Sequence, residues 1–190
     1  PLAGVLHGVE PAWASEIEPY PIRVTKARFP QMKHLGSVLD VDGSKVEPVD
    51  IITFGSPCQD LSVAGKQAGL HKGERSNLFF EAIRIIREML ESTQGEYPKT
   101  IVWENVPGAF SSNGGKDIIS VLDALQELGF IIDMNVLDAQ HMGVPQRRRR
   151  IYLLGCNAKH IAQMKTFTSW NIITQMLIEI LLTILNARLG

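Results

Sequence analysis

Val49-Asp50-Ile51-Ile52-Thr53-Phe54-Gly55-Ser56-Pro57-Cys58-Gln59 is the stretch on which the fold turns. Val49 to Phe54 is short, apolar and β-branched, and Gly55-Ser56-Pro57 closes it. That pattern predicts a buried strand opening into a loop. Thr100-Ile101-Val102-Trp103 repeats the pattern and stops at Glu104-Asn105-Val106-Pro107-Gly108. Between the two, Leu78, Phe79, Ala82, Ile83, Ile86 and Leu90 recur at helical spacing, which predicts a helix over Asn77 to Leu90. Farther out, Lys116 to Leu128 predicts a helix ended by Gly129, and Phe130 to Leu137 and Arg150 to Gly155 predict two more strands. Upstream, Pro11 to Ser15 predicts a strand, followed by a helix from Pro19 to Ala27. Alternating strands and helices predict an α/β fold with a mostly parallel sheet covered on both faces. In such sheets, ligands sit outside the carboxyl ends of the strands. Glu16, Cys58 and Glu104 follow the first, second and third of these strands.

The length, 190 residues, suits one domain and leaves no room for an independent recognition domain. Lys and Arg total 19 and Asp and Glu 20, a formal net charge of -1. A polybasic coat for nucleic acid is excluded, so any such binding rests on a local patch. Cys58 and Cys156 are far apart and form no Cys-x-x-Cys pair. A disulfide-rich secreted domain and a zinc module are therefore disfavoured, no metal is expected, and a reducing, cytoplasmic setting is. The N-terminus has no basic region or long apolar run, so no signal peptide is expected, and the lack of an initiator Met suggests a start inside a longer reading frame. Asn171 to Gly190 is apolar except for a polar stripe at Asn171, Gln175, Glu179, Thr183 and Asn186. It reads as a helix covered by the protein or a partner, too interrupted for a membrane span.

Three short segments carry chemistry. A thiol at Cys58, where a strand opens into a tight loop, can meet backbone N–H groups that lower its pKa and favour thiolate. The plainer fate of a lone cysteine is a small buried apolar side chain. Glu104 stands just past an apolar strand, where burial without a partner is expensive. It is either a proton donor beside Cys58 or a carboxylate exposed on a loop. Arg147-Arg148-Arg149-Arg150 is a concentrated anion site on a near-neutral chain. Because the run enters a strand, alternate arginines face opposite ways, two toward a site and two toward solvent. A solvated or nuclear-targeting cluster is the other reading.

Taken in order, GSPCQDLSVAGKQAGL, SNLFFEAIRII, VWENVPGAF and DAQHMGVPQRRRRIYLLG resemble the DNA cytosine-5 methyltransferases. The Pro-Cys-Gln, Glu-Asn-Val and Gln-Arg-x-Arg signatures stand in the family's order, and WASEIEPYPIRVTKARFPQMKHLG is similar to its second and third cofactor motifs. The resemblance covers about residues 8 to 157 and implies a doubly wound, Rossmann-like S-adenosylmethionine-dependent fold, with Arg150 to Leu154 antiparallel to its neighbour. It implies methyl transfer from S-adenosylmethionine to C5 of a cytosine flipped out of double-stranded DNA, through a covalent cysteine adduct. Cys58 is then the nucleophile and Glu104 the acid against the base edge. Pro57 and Gln59 set the loop, Asn105 fixes the Glu104 segment, and Arg148 and Arg150 contact the base or its phosphate with support from Gln146. Glu16 is expected to accept hydrogen bonds from the ribose hydroxyls, and Leu78 to touch the adenine.

The sequence also departs from the family. The family opens with a strand and a Phe-x-Gly-x-Gly loop that do not stand here, so the expected sheet has its first strand missing. Ser37 follows Gly36 where the family has Asp. The organisation expected is a partial catalytic domain over 1–157 and a tail with an apolar helix over 158–190. The implied setting is restriction-modification. The alternatives are an inactive fragment that still binds DNA, or one subunit of a split enzyme completed by a chain carrying the recognition domain.

Overall fold

The computed structural model describes residues 5, 8–56 and 78–163. Pro57, Cys58, Gln59 and the apolar C-terminal segment lie outside the described residues. Two compact units are formed. One takes the residues up to Ser37 together with Asp138–Arg148, and the other takes Val38–Leu137 and Arg149–Gln163.

The first unit holds β1 (Trp13–Ala14), α1 (Pro19–Arg28) and β2 (Lys33–His34). β1 and β2 pair in parallel, with Lys33 N–H donating to the Ala12 carbonyl and Leu35 N–H to that of Ala14, each at 2.9 Å. Lys33–His34 escaped the sequence reading because two residues carry no periodicity.

The second unit is built on β3 (Ile51–Phe54), β4 (Thr100–Asn105), β5 (Phe130–Asp138) and β6 (Arg149–Asn157), in the order β3-β4-β6-β5. β3 runs parallel to β4, with Phe54 opposite Trp103. β6 runs antiparallel to β4, with Glu104 opposite Tyr152, as expected. The helices α2 (Leu78–Ser92) and α3 (Lys116–Glu127) follow the predicted alternation, and a short helix α4 (Ala158–Gln163) follows β6. The fold is mixed α/β of the Rossmann-like type. The alternation predicts β1 in one parallel sheet with β3 and β4, and the structure corrects this. The ladder bonds of β1 go to β2 alone, and no strand among the described residues bridges the two sheets.

The core lies between the sheet and the apolar faces of its helices. α2 buries Phe79, Ala82, Ile83, Ile85, Ile86 and Met89, and α3 buries Ile118, Val121 and Leu125. Trp103 and Phe79 are both fully buried, with ring centroids 5.9 Å apart in an edge-to-face pair. Before α3, Asn113, Gly114 and Gly115 all have positive φ, a run that Gly and Asn adopt most cheaply.

The segment from Val38 is tied to α2 through Arg84 and Glu88. Gly43 N–H donates to Glu88 Oε2 at 2.7 Å, and Arg84 Nη1 donates to the Val41 carbonyl at 2.8 Å. A Cβ on Gly43 would lie 2.2 Å from the Ile85 carbonyl oxygen. That oxygen belongs to helix backbone and cannot move aside as a side-chain tip can. Gly43→Ala is therefore expected to destabilise the protein by about 3 kcal/mol. Urea unfolding checks this, with the midpoint falling and the slope unchanged.

Candidate active site

Glu104 sits near the carboxyl end of β4, facing the opposite side of the strand from Trp103 and Asn105. Arg150 is two residues from Tyr152, the strand partner of Glu104, so it projects on the same face as Glu104. Arg150 Nε stands 3.4 Å from Glu104 Oε1, with side chains only 20% and 17% exposed. Arg150 Nη1 also donates to its neighbour's carbonyl, that of Arg149, at 2.7 Å. The carboxylate therefore has the charged partner that its partial burial demands. Of the two readings of Glu104, the exposed loop carboxylate is replaced by a paired one. Arg148 and Arg150 are half-buried while Arg147 and Arg149 are exposed, the alternation expected of a run entering a strand.

Asn105 is buried and bridges two segments. Its Oδ1 accepts the Val106 N–H at 2.8 Å, and its Nδ2 donates to the Ser56 carbonyl at 3.2 Å. It thus ties the start of the Val106 segment to the residues that follow β3. Cys58 is two residues beyond Ser56 in the chain and lies outside the described residues, as do Pro57 and Gln59. Leu78 opens α2 and is 38% exposed.

Asp138, which the sequence reading passed over, closes the loop that precedes the arginines. Its Oδ1 accepts N–H groups from Gln140 at 3.2 Å and Arg148 at 3.0 Å. An Asp directly before a short helical turn is an N-cap signal and was there to be read. Gln146 is exposed in this loop, and its N–H donates to the Val144 carbonyl at 2.7 Å.

Glu16 belongs to the first unit, beyond β1. Its Oε1 accepts the N–H groups of Ile17 and Glu18 at 2.8 and 2.9 Å, which fixes the carboxyl group in a turn before α1. Ile17, next to it, is 68% exposed. The other cysteine, Cys156, lies toward the far end of the β4–β6 pair, opposite Thr100. Burial, reinforced by Asp133, pushes its thiol above the ordinary value, which makes it a poor nucleophile.

Comparison with known proteins bears on the family of the chain. The family model of the C-5 cytosine-specific DNA methylases matches residues 3–186, past the point near residue 157 where the sequence resemblance ends. Type II methyltransferase M1.ScrFI of Lactococcus lactis subsp. cremoris is 33% identical over 159 residues, covering 84% of this chain and 39% of the relative. Type II methyltransferase M.NgoBI of Neisseria gonorrhoeae is 34% identical over 149 residues, covering 78% of this chain and 44% of the relative. The chain thus spans less than half the length of these relatives. Among solved structures, a mutant DNMT2 from Spodoptera frugiperda superposes with a TM-score of 0.62 at 24% identity, over 89% of this chain and 48% of that one. The S. pombe Dnmt2 methyltransferase gives 0.60 at 17% identity, over 89% and 53%. A family model spanning nearly the whole sequence, with curated relatives above 30% identity, settles the assignment: the chain belongs to the C-5 cytosine-specific DNA methylases.

Proposed function

We propose that this chain is the central catalytic part of a DNA cytosine-5 methyltransferase acting through a covalent cysteine adduct. The observation that carries the reading is the Glu104–Arg150 pair at the carboxyl end of β4, beside the strand that leads into Ser56-Pro57-Cys58. The Cys58 thiolate bonds to C6 of a cytosine turned out of the duplex. Glu104 gives a proton to N3, which spares the ring a full negative charge and leaves an enamine that is nucleophilic at C5. Arg150 steers the carboxyl group toward the base edge and contacts the base, while Arg148 and Gln146 meet DNA phosphate. Pro57 and Gln59 shape the loop around the thiol. When C5 loses its proton to a base and the C6–S bond breaks, N3 returns its proton to Glu104, the ring regains aromaticity and Cys58 leaves as thiolate.

Glu16 fits a ribose. Its Oε1 accepts the Ile17 and Glu18 N–H groups, which holds the carboxylate in a fixed place from which it can accept from hydroxyls. S-adenosylmethionine, when bound, supplies the methyl group that C5 takes up. Glu16 would hold its ribose hydroxyls, and Leu78 would lie against its adenine. Choice of the DNA target falls to sequence beyond the span shared with the relatives, on the same polypeptide or on a complementing chain. Widely spaced cysteines suit the reducing cytoplasm in which such a thiolate survives.

Duplex DNA carrying 5-fluorocytosine tests the reading, because fluorine cannot leave C5 as a proton and the adduct persists. With S-adenosylmethionine present, the chain is expected to form a denaturant-stable adduct through Cys58. Cys58→Ser should form none, since a hydroxyl is far less ionised than a thiol. Persistent capture by the Ser variant would sink the assignment.

A further inference from the structure

β1 and β2 run parallel, so their carboxyl ends stand at the same end of the pair. Leu35 N–H donates to the Ala14 carbonyl at 2.9 Å. One residue farther along each strand, the Ser15 hydroxyl donates to the Gly36 carbonyl at 2.8 Å. A side chain thus carries the pairing past the last strand residues, Ala14 and His34. The residue after Ser15 is Glu16, whose Oε1 accepts the Ile17 and Glu18 N–H groups. Those two bonds hold the carboxylate to its own turn. The Ser15 bond holds that turn to the residues that follow β2.

Gly36 is exposed, and its φ of 76° lies in the left-handed region, where the chain departs from the strand direction. Among the described residues, no atom lies within 4 Å of the place that a Cβ on Gly36 would take. Open space therefore borders the end of β2. Adjacent strands stand about 4.8 Å apart, less than the length of a nucleoside. A ribose held by Glu16 beyond β1 leaves its base to lie over a neighbouring strand end. Among the described residues the neighbour of β1 is β2.

We propose that Ser15 is a positioning residue for the nucleoside part of the cofactor. Its single hydrogen is committed to the Gly36 carbonyl, so its effect reaches the ligand through Glu16. The bond fixes the spacing between the carboxylate that accepts from the ribose and the strand end beneath the base, a spacing that binding requires to within about half an ångström. Without it, Glu16 keeps its charge and its turn but loses its tie to β2. The inference rests on the reading of Glu16 as the ribose acceptor.

Isothermal titration of the intact chain with S-adenosylhomocysteine, and with its analogue lacking both ribose hydroxyls, tests it. Ser15→Ala should weaken S-adenosylhomocysteine binding about three- to tenfold, the worth of one neutral hydrogen bond. Ser15→Thr keeps the hydroxyl and should bind as the unmodified chain does. The dideoxy analogue offers Glu16 nothing to accept. The unmodified chain should bind it more weakly, and Ser15→Ala should weaken it no further. If Ser15→Ala weakens both ligands alike, or neither, or if Ser15→Thr behaves as Ser15→Ala does, the bond serves the fold alone and the inference is overturned. Glu16→Gln separates the two failures. A reduced preference for the hydroxyl-bearing ligand in Glu16→Gln, with none lost in Ser15→Ala, removes the positioning role and keeps the ribose reading. Equal binding of the two ligands by the unmodified chain, or binding of neither, removes the ribose reading, and the positioning role falls with it.

Discussion

Glu104→Gln is expected to lower methyl transfer to DNA by about 10²–10⁴-fold, the range for a positioned general acid. Glutamine keeps the shape of the side chain and can still accept a hydrogen bond from the base amino group. It has no proton to give to N3, so C6 stays a poor electrophile and attack by the thiolate slows. Arg150 loses a charged partner 3.4 Å away but keeps its bond to the Arg149 carbonyl. Its side chain remains 20% exposed, so solvent takes up part of the difference. The melting temperature should therefore move little while tritium transfer from labelled S-adenosylmethionine collapses. An equal fall in both would assign Glu104 to the fold rather than to the chemistry.

The parts of this site that sequence reveals are those set by local patterns. β3, β4 and β6 announce themselves as β-branched runs that end in loop residues, and α2 and α3 by their apolar spacing. Glu104 and Arg150 could be nominated because a carboxylate and an arginine beside apolar strands each need a reason to be there. What the pattern does not contain is pairing. That Arg150 is the partner of Glu104 follows from the register Glu104 opposite Tyr152, and register is fixed by packing across strands. Trp103 reads as one more apolar residue of a strand, and Ser56 as one more loop residue. The Trp103 indole Nε1–H donates to Ser56 Oγ, a bond between positions 47 apart, and nothing near either one signals it. The two-residue strand β2 fails for the opposite reason, since it is too short to show any period.

The largest stability effect is expected at the same tryptophan. Trp103→Ala should cost about 3–5 kcal/mol, the range for removing a large buried aromatic side chain. The indole is fully buried and packs edge-to-face on Phe79, which in turn lies 6.1 Å from Phe54 and 5.3 Å from Phe80 between ring centroids. Removing it opens a cavity under the centre of the sheet and leaves the Ser56 hydroxyl without its donor. Backbone ladders on both sides of β4 limit how far the strand can collapse into that space. In a protein of this size the loss should lower the melting temperature by roughly 10 °C or more. Trp103→Phe, which refills most of the volume, should recover most of it. Calorimetry on the two variants checks the ordering.

β4 has a hydrogen-bonded neighbour on each flank, β3 on one side and β6 on the other. Glu104 meets Arg150 across one of these seams, and Trp103 and Asn105 meet Ser56 across the other. Both contacts border backbone ladders in the middle of the sheet, far from the chain ends where fraying begins. The indole hydrogen of Trp103 should accordingly exchange with deuterated solvent only through openings as rare as global unfolding. The described half of the site then inherits the cooperativity of the core. It is expected to hold up to the unfolding transition, since the strands that carry it are the buried centre of the core.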